Sequence, residues 1–520
     1  MSADSNQLGK PVRFIGKATS LVFILVIMIM MMIAGGIALD EGTGRFMKAA
    51  TGHLTPAYSE EAIKSLRANP TPENMRIMGS ELWGISKLTS TQHITDSRLP
   101  EQGLYYTVMP QSNKVLMVVH IIIGSFCMLL GGLQFWPYFR KKYMKAHRTI
   151  GAIYIVTVPI SVIASLIYLV NTAPHHIYDH LVAWIALWIF GVLSLISIAM
   201  AVRALRAKRI YEHQAWMALS FASLMVAPLL RWDWVILGIL FPSIDQETLN
   251  LVTMGVMLPE CLLIAYGLIL INRQYARPMS KRPLQPIVST ASKTYISLLP
   301  VLYLAALLSL AINIGYYLIG DGLSNLTFAE QLIPSSLIQH EKLTLSALPL
   351  TKAVYVLAVG FALPLALYTL KNLFQKQPNT KISTQASRIG IAAAVLAVIG
   401  GAAALSIGWQ IGLATQNIWL SGGTMYSVDG ALLVFFGVFY LIADARQQIA
   451  LMKESLVFML CLLPFSALYV LTLGAMSLLP LPPDYVAAGQ GFVIPVGFGG
   501  ALLFLALITV IYGQATREHN

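Results

Sequence analysis

Apolar runs of bilayer length recur from about residue 21 to about residue 511, with short polar loops between them. The core of a bilayer holds no water, so the backbone there must satisfy its own N–H and C=O groups. Helices of about 20 residues do so. A window of roughly that length marks about twelve spans: residues 21–39, 115–136, 150–170, 180–202, 215–230, 252–271, 296–319, 353–370, 389–407, 428–443, 456–478 and 492–511. Residues 231–241 either extend the fifth span or lie at the interface. The fold class that follows is all-α: a polytopic helical membrane protein with about twelve transmembrane helices.

Composition excludes a soluble enzyme. Only 11% of the 520 residues are charged, against about 25% in an ordinary globular chain. The formal net charge of +12 would suggest nucleic acid in a soluble domain, but here it reports sidedness. Lys10, Arg13 and Lys17 precede the first span. Arg140–Lys142, Lys145 and Arg148, then Arg203–Arg209, Arg273–Arg282 and Lys371–Arg388, fill alternate loops, and the opposite short loops hold almost no Lys or Arg. The positive-inside bias places both termini in the cytoplasm. The basic loops then read as contacts to anionic lipids of the bilayer, with no nucleic acid implied. In a bacterium the host would be the cytoplasmic (inner) membrane.

The chain organises into an N-terminal anchor (1–39), an outer-face soluble segment (40–113), a helical bundle (114–275), two connecting spans (290–375) and a four-helix bundle (387–514). The first apolar core exceeds the roughly 7–15 residues of a signal peptide, so it reads as an uncleaved anchor. Within 40–113, Ser59 with Glu60 and Glu61, and Thr71 with Pro72 and Glu73, mark two short helix starts. Cys127, Cys261 and Cys461 lie far apart inside apolar runs, which indicates neither a zinc site nor a disulfide framework. No Walker sequence, nucleophile elbow, HExxH or dinucleotide fingerprint is present. Glycine pairs such as Gly400-Gly401 read as close-packing helix faces.

Four successive spans carry one histidine each, alternating between outer and inner ends: His120 and His180 outside, His147 and His213 inside. Two-haem transmembrane cytochromes use that disposition, one axial imidazole pair per leaflet. The competing reading is interfacial hydrogen bonding, since His147 and His213 sit among Arg and Lys. Glu260 lies about nine residues into its span, roughly 13 Å deep, where a carboxylate marks a functional site by default. Pro259 before it frees a backbone carbonyl. Arg231 ends the fifth span beside Trp232 and Asp233; it either snorkels or turns toward Glu260. Asp429 is a second, shallower acid, read as interfacial.

His120 with Gly124, Gly131–Phe135, His147-Arg148 with Gly151 and Tyr154, His213 with Trp216-Met217, Arg231 and Glu260 fall in order over about residues 114–271. In these marks the block resembles the domain of unknown function 2306 family of multi-pass membrane proteins. The resemblance implies a membrane bundle and carries no activity. Gly423–Tyr426, Phe465–Tyr469 and Val493–Gly497 are similar to marks of a second family, domain of unknown function 423, over about 387–514. Asp429-Gly430 stand where that family has a histidine.

Three functions stay open on the sequence. The first is transmembrane electron transfer through b-type haem held by His120, His147, His180 and His213, which would make the protein a membrane oxidoreductase. The second is a proton-coupled transporter using Glu260 and Arg231. The third is an accessory or assembly protein that binds a membrane-protein partner without catalysis.

Overall fold

The computed structural model describes residues 16–177, 181–242, 246–275, 286–375, 382–412, 423–481, 483, 486 and 493–515. Among these the secondary structure is helical, with no strand. Ten helices are long and apolar enough to cross a bilayer, and a bent helix pair makes an eleventh. The last apolar helix, Val493–Ala515, falls in the twelfth expected span. The chain divides into two compact units, one ending at Arg282 and one beginning at Pro283.

In the first unit, α1 (Lys17–Glu41) runs without a break through a π-turn (Gly42–Phe46) to Ala50. The helix is therefore longer than its apolar run, because it continues into the polar segment that follows. Arg45 on this extension donates to the Tyr106 hydroxyl (3.0 and 3.2 Å), pairs with Glu41 (2.6 Å) and reaches the Met78 carbonyl. Those contacts fasten the 51–110 segment to the helix. Gly79 lies over the same pair at φ 112°, where a Cβ would strike both Arg45 and Glu41, so only glycine fits.

The segment builds a small core of its own around Leu66, Met75, Ile94 and Leu99. Its α2 (Pro56–Ala68) begins three residues before Ser59, where the Thr55 hydroxyl accepts from the Tyr58 N–H (3.4 Å). The helix expected at Thr71 is only a 3-10 turn over Asn74–Met78, with Thr71 accepting from the Asn74 N–H (3.3 Å).

The membrane bundle of this unit consists of α3 (Gln111–Gln134), α4 (Met144–Val170), α5 (Leu181–Arg206), α6 (Ile210–Leu224), α7 (Val226–Leu240) and α8 (Gln246–Tyr275). Contacts run from α1 to α3, α3 to α4, α4 to α5, α5 to α6, and from α6 and α7 to α8. On α4, Val156, Ile160, Ile163, Ile167 and Val170 form an exposed stripe at helical spacing, while Tyr154, Val158, Ser161 and Val162 are buried. A helix that shows its bulkiest apolar residues outward is built to face lipid. The fifth expected span is two helices, α6 and α7, bent by 51° at Met225.

The second unit comprises α9 (Pro286–Asn313), α10 (Ser335–Ser346), α11 (Pro349–Gln375), α12 (Thr384–Ile411), α13 (Gly423–Ala445), α14 (Ile449–Leu462), α15 (Phe465–Met476) and α16 (Val493–Ala515). Helices α11, α12, α13 and α14 pack in chain order, and α9 lies against α11 and α15. A π-turn (Ile314–Ile319) ends α9.

Candidate functional site

The acid expected at the centre of the first unit, Glu260, is a half-buried residue of α8. Pro259 sits inside that helix and, lacking an N–H, leaves the Gly255 carbonyl out of the hydrogen-bond ladder. The side chain that meets Glu260 is Asp233 of α7, whose carboxyl lies close enough to interact with that of Glu260. Asp233 is only 6% exposed. One oxygen on each residue, Oδ2 of Asp233 and Oε2 of Glu260, is buried without a hydrogen-bond partner among the described residues.

Arg231 lies two residues back, about 200° around the same helix from Asp233. Its guanidinium donates to the Ala227 carbonyl (3.3 Å) and lies 5.6 Å from the Trp234 ring centre. Sequence reading notices Asp233 only as a flank of Trp232. The signal for more was there: an acid near the middle of a 15-residue helix that is otherwise apolar apart from Arg231.

The histidines separate by position. His120, on α3, is held to α4: its Nδ1 lies 3.0 Å from the Ser161 carbonyl and 3.1 Å from the Ser161 hydroxyl, which donates to the His120 carbonyl. His180, its expected outer partner, lies outside the described residues. Of the inner pair, His147 stands in the first turn of α4 and His213 in the first turn of α6, and the charge of His213 reaches His147 along with those of Arg140 and Arg148. The Nδ1 of His213 lies 3.0 Å from the Ala201 carbonyl. The Nδ1 of His147 is buried with no hydrogen-bond partner among the described residues.

Between these ends, two glycines of the bundle make room for side chains. A Cβ on Gly131 would fall 2.8 Å from the Phe221 ring, and one on Gly151 would fall 3.3 Å from the Gln134 amide oxygen. No group of three or more metal-ligating His, Cys, Asp or Glu occurs among the described residues. A haem needs only two axial imidazoles.

Residues 117–268, which hold both carboxyls and the histidines described, match a family model described as a predicted membrane protein (DUF2306). With ten helices long and apolar enough to cross a bilayer among the described residues, the chain is an integral membrane protein, and its first bundle is similar to that family over this stretch. The resemblance of residues 387–514 to family 423 is not shown by any match. No curated protein and no solved structure matches the chain.

Proposed function

We propose that this protein couples proton movement to transport across the bilayer, with the Asp233–Glu260 carboxyl pair as its proton-binding site. The observation that carries the reading is the apposition of two acids, Asp233 and Glu260, inside an apolar bundle. Acids at that depth are costly and mark proton relays and substrate paths. One member of the pair, Asp233, is on the broken helix α6–α7, and the other, Glu260, is on the proline-interrupted α8. Irregular backbone at membrane depth is tolerated where it lines a cavity or is buried in protein. A purely structural acid pair would have its oxygens satisfied; here one on each side is open. On this reading the termini and basic loops are cytoplasmic, meet anionic headgroups, and in a bacterium lie inside the cytoplasmic membrane.

The test uses purified protein in liposomes that hold a pH-sensitive dye. A potassium-diffusion potential should drive proton uptake, and Glu260→Gln or Asp233→Asn should abolish it while the protein still inserts. Infrared spectra should show a protonated carboxyl C=O band that disappears in the same variants. Unchanged flux in both variants, or no carboxyl band, would sink the proposal.

A second reading rests on His147 and His213. An imidazole whose Nδ1–H is held by a backbone carbonyl, as His213's is by Ala201, presents Nε2 outward, the arrangement metal-binding histidines adopt. A b-type haem bound there would give a Soret band that weakens in His147→Ala and His213→Ala. A colourless, folded preparation from haem-sufficient cells removes it.

A further inference from the structure

The second unit contains a cavity lined by tyrosines and two acids that the carboxyl pair of the first unit does not involve. It is walled by the π-turn after α9, by α10 and α11, and by the starts of α13 and α15. The π-turn sets two adjacent tyrosines inward, Tyr316 and Tyr317, 3% and 1% exposed; such turns recur at functional sites. Tyr317 meets Tyr316, Tyr355 and Tyr426 nearly edge-on, with ring centres 4.8, 5.3 and 6.3 Å away.

The hydroxyl protons of this cluster are largely spent on neighbours. Tyr316 donates to Glu341 Oε1 (2.5 Å), which also accepts from the Leu323 N–H (3.2 Å). Ser466 donates to Asn313 Oδ1 (2.9 Å) and lies 3.0 Å from the Tyr317 hydroxyl. The Tyr317 and Tyr426 hydroxyls are 2.9 Å apart. Asp429 stands apart from this chain. It lines the cavity at 5% exposure, and its Oδ1 has no hydrogen-bond partner among the described residues.

Two acids and five tyrosine rings thus surround a space with no basic residue in its lining. A buried acceptor without a donor requires explanation, and the complement of this one is a donor that carries positive charge. Aromatic rings around a cation add to the attraction through their negative faces. The cavity measures about 30 Å³, above the roughly 10–15 Å³ that one water needs. Met425, Tyr426 and Phe465 in its wall are only half-buried, which gives a small molecule a way in.

We propose that this cavity binds a small protonated amine of about methylammonium size, with Asp429 as the charge partner and the tyrosine cluster as its walls. The site is independent of the Asp233–Glu260 pair, so the two proposals fail separately.

The experiment titrates the full-length protein in detergent with methylammonium chloride, against sodium chloride at equal ionic strength, and follows the thermal midpoint and tyrosine absorbance. Methylammonium should raise the midpoint saturably and perturb the tyrosine spectrum. Asp429→Asn should weaken the apparent Kd at least tenfold, and Glu260→Gln should leave it unchanged. Should Asp429→Asn not fold, Met425→Trp fills the cavity with the acid intact and should abolish the response. Equal responses to sodium and methylammonium, a response to pH alone, or full methylammonium binding in Met425→Trp would each overturn the proposal.

Discussion

Gly401 of α12 and Gly430 of α13 lie back to back: a Cβ on either would come within 2.6 Å of the other's carbonyl oxygen. Lipid tails give two helices no hydrophobic reason to associate, so close van der Waals packing between small residues has to hold them. The glycine-rich face expected from the sequence is this contact.

Gly401→Ala and Gly430→Ala should each force the two helices apart. Overpacking of this kind costs about 1–3 kcal/mol, read as a lower thermal midpoint in detergent. A wild-type midpoint in both variants would show that the helices can separate freely.

Asp233 and Glu260 should be energetically coupled. In a double-mutant cycle with Asp233→Asn and Glu260→Gln, residues in direct contact show about 0.5–3 kcal/mol of interaction energy. The double variant should therefore differ from the sum of the singles. Additivity within about 0.3–0.5 kcal/mol would mean that the two carboxyls do not touch.

Glu341 lies on α10, outside the membrane-spanning helices. Burial pushes its carboxyl up to about 7 from an ordinary 4.5, although Tyr316 and the Leu323 N–H both favour the charged form. The folded protein thus holds this proton more tightly than the unfolded chain does. Its contribution to stability is complete below pH 4.5 and is lost as pH rises through about 7. The total is on the order of 3 kcal/mol. Midpoints measured across that range should fall more steeply for wild type than for Glu341→Gln. Parallel curves would show that Glu341 is ionised when folded.

Sidedness is open to labelling. A cysteine introduced at Glu60 in the 40–113 segment should react with a membrane-impermeant maleimide from outside intact cells, and one at Lys145 only after the membrane is opened. Reaction of the Glu60 site from the cytoplasmic side alone would invert the topology.

Much of the molecule was legible before any coordinates. Long apolar runs can satisfy their backbone in lipid only as helices, so the spans follow from hydropathy, and the glycine-rich stretches follow from the packing that lipid demands. Glu260 stands out for the same reason, as a charge where charge is costly. The bend at Met225 has its signature one turn later, because Pro228 lacks the N–H that would bond the Leu224 carbonyl and its ring crowds that carbonyl. Other features have no linear signature. The helix that continues to Ala50 leaves its apolar run behind.

The sequence alone determined the all-helical class, the approximate number of spans and the acid at the centre of the first bundle, because those depend on each segment's own solvation. Tertiary structure decided the partners. Whether Asp233 or Arg231 meets Glu260 depends on how α7 is rotated about its axis, and residues two apart point in nearly opposite directions. Whether Asp429 is interfacial or buried depends on what α9, α11 and α15 bring around it. Tyr317 and Ser466, 149 residues apart, share a hydrogen bond only because helix packing closes the chain between them.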